Sequence, residues 1–287
     1  MDPPLFSRFL PCGEIQMIEV SDLHYSYSKQ DAPVLDGLDL QIEPGQWLAV
    51  VGRNGSGKST LARCLNGLFL PDSGRVLVDG MDTSDESLLY SIRERVAFVF
   101  QNPDNQLVAT SVEDDIAFGL ENLGIPREEI TDRVEQALAT MRLTEKRDKP
   151  PHLLFGEKQR VAIAGAIAMA STYLVLDEPT AMLDPLMRLE VIDSLTRLHR
   201  EQGLTVIYVT NIMEEVLLAD RVVLLDQGRV ARDCTPAELF SDPAYLIEQG
   251  LDVPQISYLA GRLADAGYES LRGALAVEEL AERLCRI

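Results

Sequence analysis

Trp47-Leu48-Ala49-Val50-Val51-Gly52-Arg53-Asn54-Gly55-Ser56-Gly57-Lys58-Ser59-Thr60 joins an apolar run of strand length to a glycine-rich turn, followed by an amphipathic helix expected over 58–68. G-x-x-x-x-G-K-S between a strand and a helix is the pattern of a phosphate-binding loop. Gly52, Gly55 and Gly57 let the backbone turn so that successive N–H groups point at a phosphate, and the helix adds its positive end. Lys58 would reach the β and γ oxygens as a point charge, and Ser59 would offer a hydroxyl to Mg²⁺. Asn54, Ser56 and Thr60 complete the candidate nucleotide contacts.

The 287 residues, 46% of them hydrophobic, are enough for one large domain with a small appendage. The longest mostly apolar stretch, Val161 to Ala170, is shorter than the roughly 20 residues a membrane helix needs, so a membrane role must come through partners. A formal charge of -20 disfavours nucleic acid and anionic lipid as partners. Cys12, Cys64, Cys234 and Cys285 lie far apart without a C-x-x-C pair and are expected to be incidental thiols of a reducing cytoplasm. Residues 1–16 carry Pro3, Pro4 and Pro11 around a short apolar patch and lack a secretory signal's long apolar core, so they are expected to form an extension.

Upstream of the loop, Ile18 to Tyr27 and Val34 to Ile42 alternate as strands, predicting a β-rich flap beside the nucleotide. Tyr25 or Tyr27 there could stack on a purine ring, or lie half buried in the flap. Downstream, a strand over Val96 to Phe100 ends in Gln101-Asn102-Pro103-Asp104-Asn105-Gln106, where Gln101 could reach a metal or an attacking water or belong to a surface turn. Helical patterns over 112–149, with a helix from Pro126 to Met141, predict a separate helical lobe extending to about residue 170. Tyr173 to Leu176 is a buried strand ending in Asp177-Glu178. Two acids there are costly unless they serve a cation, which makes Asp177 the candidate to hold hydrated Mg²⁺ and Glu178 the candidate to polarise a water. Asp184-Pro185 caps a helix to about Glu201, strands follow at Thr205 to Val209 and Arg221 to Leu225, and a helix begins at Ile212 between them. Alternating strands and helices predict an α/β fold with a mainly parallel sheet.

Together these motifs resemble the nucleotide-binding subunits of ATP-binding cassette (ABC) transporters over Ile18 to about Phe240. More narrowly they resemble the first of the two ATPases of energy-coupling-factor (ECF) importers, through 101–106, Val112 to Gly119, Asp177-Glu178-Pro179-Thr180-Ala181-Met182-Leu183-Asp184-Pro185, and Gly250-Leu251-Asp252-Val253-Pro254 with its helical tail. The resemblance implies a P-loop ABC cassette over 17–240 with a helical extension over 241–287. It implies ATP and Mg²⁺ as cofactors, Tyr27 stacking on adenine, and Gln101 sensing Mg²⁺ and touching a membrane partner. It also implies a head-to-tail dimer with a second ATPase, faced by Asp184, on the cytoplasmic face of the membrane. There a transmembrane scaffold would carry a separate substrate-capture protein, and the cargo would be a vitamin or transition-metal ion.

Two positions depart from that family. Its signature L-S-G-G-Q is here Leu153-Leu154-Phe155-Gly156-Glu157, so Leu154 cannot donate to a partner's γ-phosphate, Phe155 adds bulk and Glu157 adds negative charge. Losing one such donor costs about 10²-fold in rate. The family's phosphate-contacting histidine is replaced by Asn211, which hydrogen-bonds but carries no charge. The expectation is an ATPase with a working site on its own loop and a poor composite site on its partner. The alternative is a nucleotide-binding regulatory subunit with little turnover, whereas a DNA-repair or translation ABC protein fits worse, because those families are marked by long coiled-coil insertions or tandem cassettes, which this sequence does not show, and its acidity argues against nucleic acid.

Overall fold

The computed structural model describes residues 17–28, 30–151 and 155–286, with only the main chain of Phe155 and Gly156. The expected extension over 1–16 and the signature residue Leu154 lie outside the described residues.

Two sheets share one core. Strands β1 (Ile18–Tyr25), β2 (Leu35–Ile42), β4 (Ser73–Val78) and β5 (Met81–Asp82) form an antiparallel sheet in the order β2-β1-β4-β5, which is the expected flap. The second sheet runs β10 (Arg229–Cys234), β9 (Arg221–Asp226), β3 (Trp47–Val51), β8 (Thr205–Val209), β7 (Tyr173–Asp177) and β6 (Val96–Val99). Its strands are parallel except for β10, which hairpins back onto β9. Every residue of β3, β7 and β8 is buried, as expected of parallel strands covered on both faces.

The two-residue period of β3 distributes its side chains between the layers. Leu48 and Val50 pack with the flap and with α1 (Lys58–Leu65), whereas Trp47, Ala49 and Val51 pack toward the helices on the other face. Those helices are α3 (Val112–Asn122), α4 (Arg127–Thr140), α5 (Phe155–Ala168) and α6 (Pro185–Gln202). Helix α5 is rich in alanine and buried along most of its described length, so α3 and α4 can pack closely against it as the helical lobe.

Several boundaries differ from expectation. Helix α1 ends at Leu65 rather than Leu68, because Asn66 caps it and Gly67 turns with φ +67°. Helix α7 (Met213–Val216) stops after one turn, where the chain must bend to enter β9. The short helix α2 (Leu89–Arg95) and strand β10 were not legible: β10 alternates exposed and half-buried residues and offers no apolar stripe. Beyond β10 lie α8 (Pro236–Phe240), α9 (Pro243–Glu248), α10 (Gln255–Asp265) and α11 (Val277–Leu284). In the tail, Ile256 and Leu263 pack against a small cluster of Ala260, Leu271, Ala274 and Leu280. Helix α10 also buries Ser257, Gly261 and Ala264, while Leu259, Val277 and Leu284 are exposed.

Candidate active site

The carboxyl ends of β3, β8, β7 and β6 stand side by side, the edge where open α/β sheets bind ligands. After β3, Gly52, Gly55 and Gly57 turn with φ of +150°, +82° and +104°. A Cβ on Gly52 would stand 2.3 Å from the Leu225 carbonyl oxygen, so no other residue fits there without moving the backbone. The Lys58 side chain folds back over the loop, its Nζ donating to the carbonyls of Gly52 (2.7 Å) and Arg53 (3.1 Å). Burial lowers its pKa while Glu178 and Asp177 push it back up. Asn54, Gly55, Gly57, Lys58, Ser59, Thr60, Tyr27, Val34 and Glu178 line a cavity of about 300 Å³. Ser56 is buried in the same loop.

Asp177, at the end of β7, is 1% exposed. Its Oδ1 accepts from the Ser59 hydroxyl at 2.7 Å, while its Oδ2 is buried with no hydrogen-bond donor among the described residues. Arg63 approaches that oxygen only to 3.8 Å. Burial raises the Asp177 pKa, partly offset by Ser59, Arg63 and Lys58. An orphaned carboxylate oxygen beside a hydroxyl is a donor set suited to a hard, oxygen-seeking cation, so Ser59 and Asp177 fit Mg²⁺.

Glu178 adopts a left-handed conformation, φ +48°, held by its N–H donating to the Val209 carbonyl (2.9 Å). A non-glycine residue there costs on the order of 1–3 kcal/mol, which the surrounding hydrogen bonds must offset. Both carboxylate oxygens are engaged: Gln101 Nε2 donates to Oε2 (2.8 Å) and Asn211 Nδ2 to Oε1 (2.7 Å). Asn211 also donates to Asn54 Oδ1 at 3.3 Å, linking the β8 loop to the phosphate loop. Glu178 is thus fixed by amides from both flanking strands, a convergence that no local pattern in the sequence displays. Burial raises its pKa, with Asp177 and Glu215 adding to the rise and Lys58 opposing it.

Tyr27 is exposed, with its hydroxyl 3.0 Å from Thr60 Oγ1 and its ring edge-on to Tyr25 and Phe69, which stack on each other. Its ring is therefore held in place at the cavity wall. Replacing it, Tyr27→Ala, is expected to weaken ATP binding about 10-fold, from the roughly 1–3 kcal/mol of base–aromatic stacking. Equilibrium titration with ATP checks this, and an unchanged affinity counts against adenine stacking.

The remaining predicted positions are placed less completely. Phe155 and Gly156 open α5 on the main chain. Glu157, expected to present its charge to a partner's polyanion, is paired with Lys146 Nζ at 3.0 Å, so that charge is partly neutralised within the chain. Asp184 caps α6 as expected, its Oδ1 accepting from the N–H groups of Leu186 and Met187 at 3.0 Å. The buried Glu215 behind the site is a functional candidate that only the fold reveals. Its signal was an acid on α7 at a position the fold buries.

The ABC transporter family matches residues 35–181. The chain is 50% identical over 274 residues to the energy-coupling factor transporter ATP-binding protein EcfA1 of Caldanaerobacter subterraneus subsp. tengcongensis, covering 94% of this chain and 99% of that protein. It is also 51% identical over 278 residues to the EcfA1 protein of Symbiobacterium thermophilum, covering 94% and 97%. The chain belongs to the energy-coupling factor ATP-binding proteins of the ABC transporter family. As an ABC cassette it is an ATPase. Among solved structures, this ECF ATPase resembles cbiO1 from Clostridium perfringens, part of the ABC transporter complex cbiONQ, with a TM-score of 0.72 and 38% identity over 84% of this chain and 97% of that one. A dimeric ATP-binding cassette in a post-hydrolysis state bound to ADP and Pi matches with a TM-score of 0.69 and 27% identity over 76% and 98%. No helix among the described residues of the ECF ATPase is long and apolar enough to cross a membrane.

Proposed function

We propose that this ECF ATPase drives import of a vitamin or transition-metal ion by closing on a second, non-identical ATPase beneath a transmembrane scaffold at the cytoplasmic face of the cell membrane. The observation that carries the hydrolytic reading is Glu178, held at both oxygens by Gln101 and Asn211 across the cavity from Lys58.

In this reading Lys58 and the loop N–H groups hold the phosphates, with Asn54, Ser56 and Thr60 around them, and Tyr27 stacks on adenine. Ser59, Asp177 and Gln101 would hold hydrated Mg²⁺, which would supply positive charge to neutralise the transferring phosphoryl group. Glu178 orients and polarises the attacking water, its raised pKa favouring acceptance of a proton. Asn211 keeps the Glu178 carboxylate aimed and can donate an amide hydrogen to a phosphate oxygen.

The solved cassette with ADP and Pi is a dimer, which supports pairing of two cassettes; in the pairing proposed here, head to tail, Asp184 would face the partner cassette. Leu154, Phe155, Gly156 and Glu157 would then face the partner's nucleotide and serve it poorly. An open groove lined by Leu68, Leu70, Leu89, Tyr90, Phe118 and Met169 supplies apolar surface for a scaffold segment.

Asn211 and Leu154 favour a second reading, a clamp that binds ATP and scarcely turns it over. Purifying the tagged full chain from membranes tests both. The importer reading expects a scaffold protein and a second ATPase to co-purify with MgATP hydrolysis. Turnover-free binding in that complex would establish the clamp, and recovery without any membrane protein would refute both.

A further inference from the structure

Behind the site lies a buried carboxylate. Glu215, on α7, is 3% exposed, and both its oxygens are engaged. The Thr180 hydroxyl donates to Oε1 at 2.5 Å and the Thr210 hydroxyl to Oε2 at 2.6 Å. The buried Tyr208 hydroxyl lies 3.3 Å from Thr180 Oγ1. Thr210 Oγ1 in turn accepts from the Ile212 N–H at 3.0 Å, which shapes the turn carrying Asn211. Arg188 Nε, buried without a hydrogen-bond acceptor among the described residues, sits 3.8 Å from Glu215 Oε1 and belongs to α6, the helix capped by Asp184.

Thr180 follows Glu178 by two residues and Thr210 immediately precedes Asn211. One buried carboxylate therefore ties together the two segments whose side chains meet at 2.7 Å in the site. Stability alone is a poor reason for it: a buried charge costs several kcal/mol in desolvation, and well-packed apolar side chains often do as well or better. Its geometry instead specifies how two loops from neighbouring strands face each other.

We propose that Glu215 is a positioning residue for ATP hydrolysis, holding Thr180 and Thr210 so that Glu178 and Asn211 keep the geometry that aims the attacking water. This rests on the reading of Glu178 as the group acting on that water. The Glu215→Gln change keeps the shape but removes the charge that accepts both threonine hydroxyls. In the purified transport complex it is expected to lower kcat about 10-fold, the scale on which groups that orient reactive ligands act, with KM for ATP within about twofold. Thr210→Val, a nearly isosteric loss of one donor, is expected to act in the same direction and serves if Glu215→Gln folds poorly. Asn211→Ala should cost distinctly less in the Glu215→Gln background than in the wild type, because the two changes disrupt one arrangement.

The outcomes separate the ideas. A kcat per folded complex that is unchanged in both variants, or that falls only in proportion to lost nucleotide binding, overturns the role of Glu215 while Glu178→Gln remains inactive. If Glu178→Gln is itself fully active, both the role of Glu215 and the reading of Glu178 fall.

Discussion

Lys58→Met is expected to weaken MgATP binding about 100-fold and to remove turnover at ordinary ATP concentrations. A hydrogen bond to a charged group contributes about 1.5–3 kcal/mol, and the upper end of that range is about 100-fold in affinity. Lys58 has a second task, since its Nζ also holds the carbonyls of Gly52 and Arg53, which set the curvature of the loop. Methionine fills the same buried channel but donates nothing, so the loop loses both its phosphate charge and its internal clasp. Calorimetric titration with MgATP checks the affinity, with thermal unfolding run alongside to show that the chain remains folded. Wild-type affinity in the folded variant would mean that Lys58 does not face the phosphates.

Glu178→Gln separates binding from chemistry. Removing a positioned general base costs typically 10²–10⁴-fold, so kcat is expected to fall by at least about 10²-fold. MgATP affinity should stay within about threefold, because Lys58, Ser59 and Asp177 remain in place. The amide also turns one of the two acceptor oxygens into a donor, facing either Gln101 Nε2 or Asn211 Nδ2, so one of those contacts is lost. Single-turnover hydrolysis beside equilibrium binding reads both quantities. A rate within a few-fold of wild type would exclude Glu178 as the water-activating group.

Some of this site was plain in the chain and some was not, and the dividing line is sequence separation. The phosphate loop is local: glycines, lysine and serine at fixed spacing between a strand and a helix carry their own reason for being there. Asp177-Glu178 was legible because two acids ending an apolar strand need a cation or a reaction to justify them. Local too is the Asp184-Pro185 cap, which begins α6 where the residues predict. The clasp on Glu178 is non-local. It depends on β8 and β6 flanking β7, an order set by tertiary packing, and only that order brings Gln101 and Asn211 to opposite oxygens of one carboxylate.

The same contrast explains the boundaries and strands that local pattern leaves open. Leu217, Leu218 and Ala219 extend the helical pattern of α7, but the chain must turn there so that the Trp47 carbonyl can accept from the Asp220 N–H and β9 can align beside β3. Strand β10 is an edge strand with polar and apolar residues in equal number, held by its ladder to β9 and packing on the core through Val230 and Cys234 alone. In the tail, Ile256 and Leu263 pack beside the small residues Ala260, Gly261 and Ala264, which α10 buries, while Leu259 is exposed. Glu215 was hidden for a related reason, since an acid beside another acid in Glu214-Glu215 has the pattern of a solvated helix start until the fold buries one of them.

The asymmetry between two sites is tested most directly by ATP turnover of the assembled pair of ATPases, with the water-activating glutamate changed to glutamine in one subunit at a time. Glu178→Gln in this chain should remove nearly all hydrolysis, and the corresponding change in the partner should remove little, because in the proposed pairing Leu154 and Phe155 would serve the partner's nucleotide where a serine and a glycine are expected. Equal losses from both changes, or a larger loss from the partner's, would contradict a working site built on this chain's own phosphate loop.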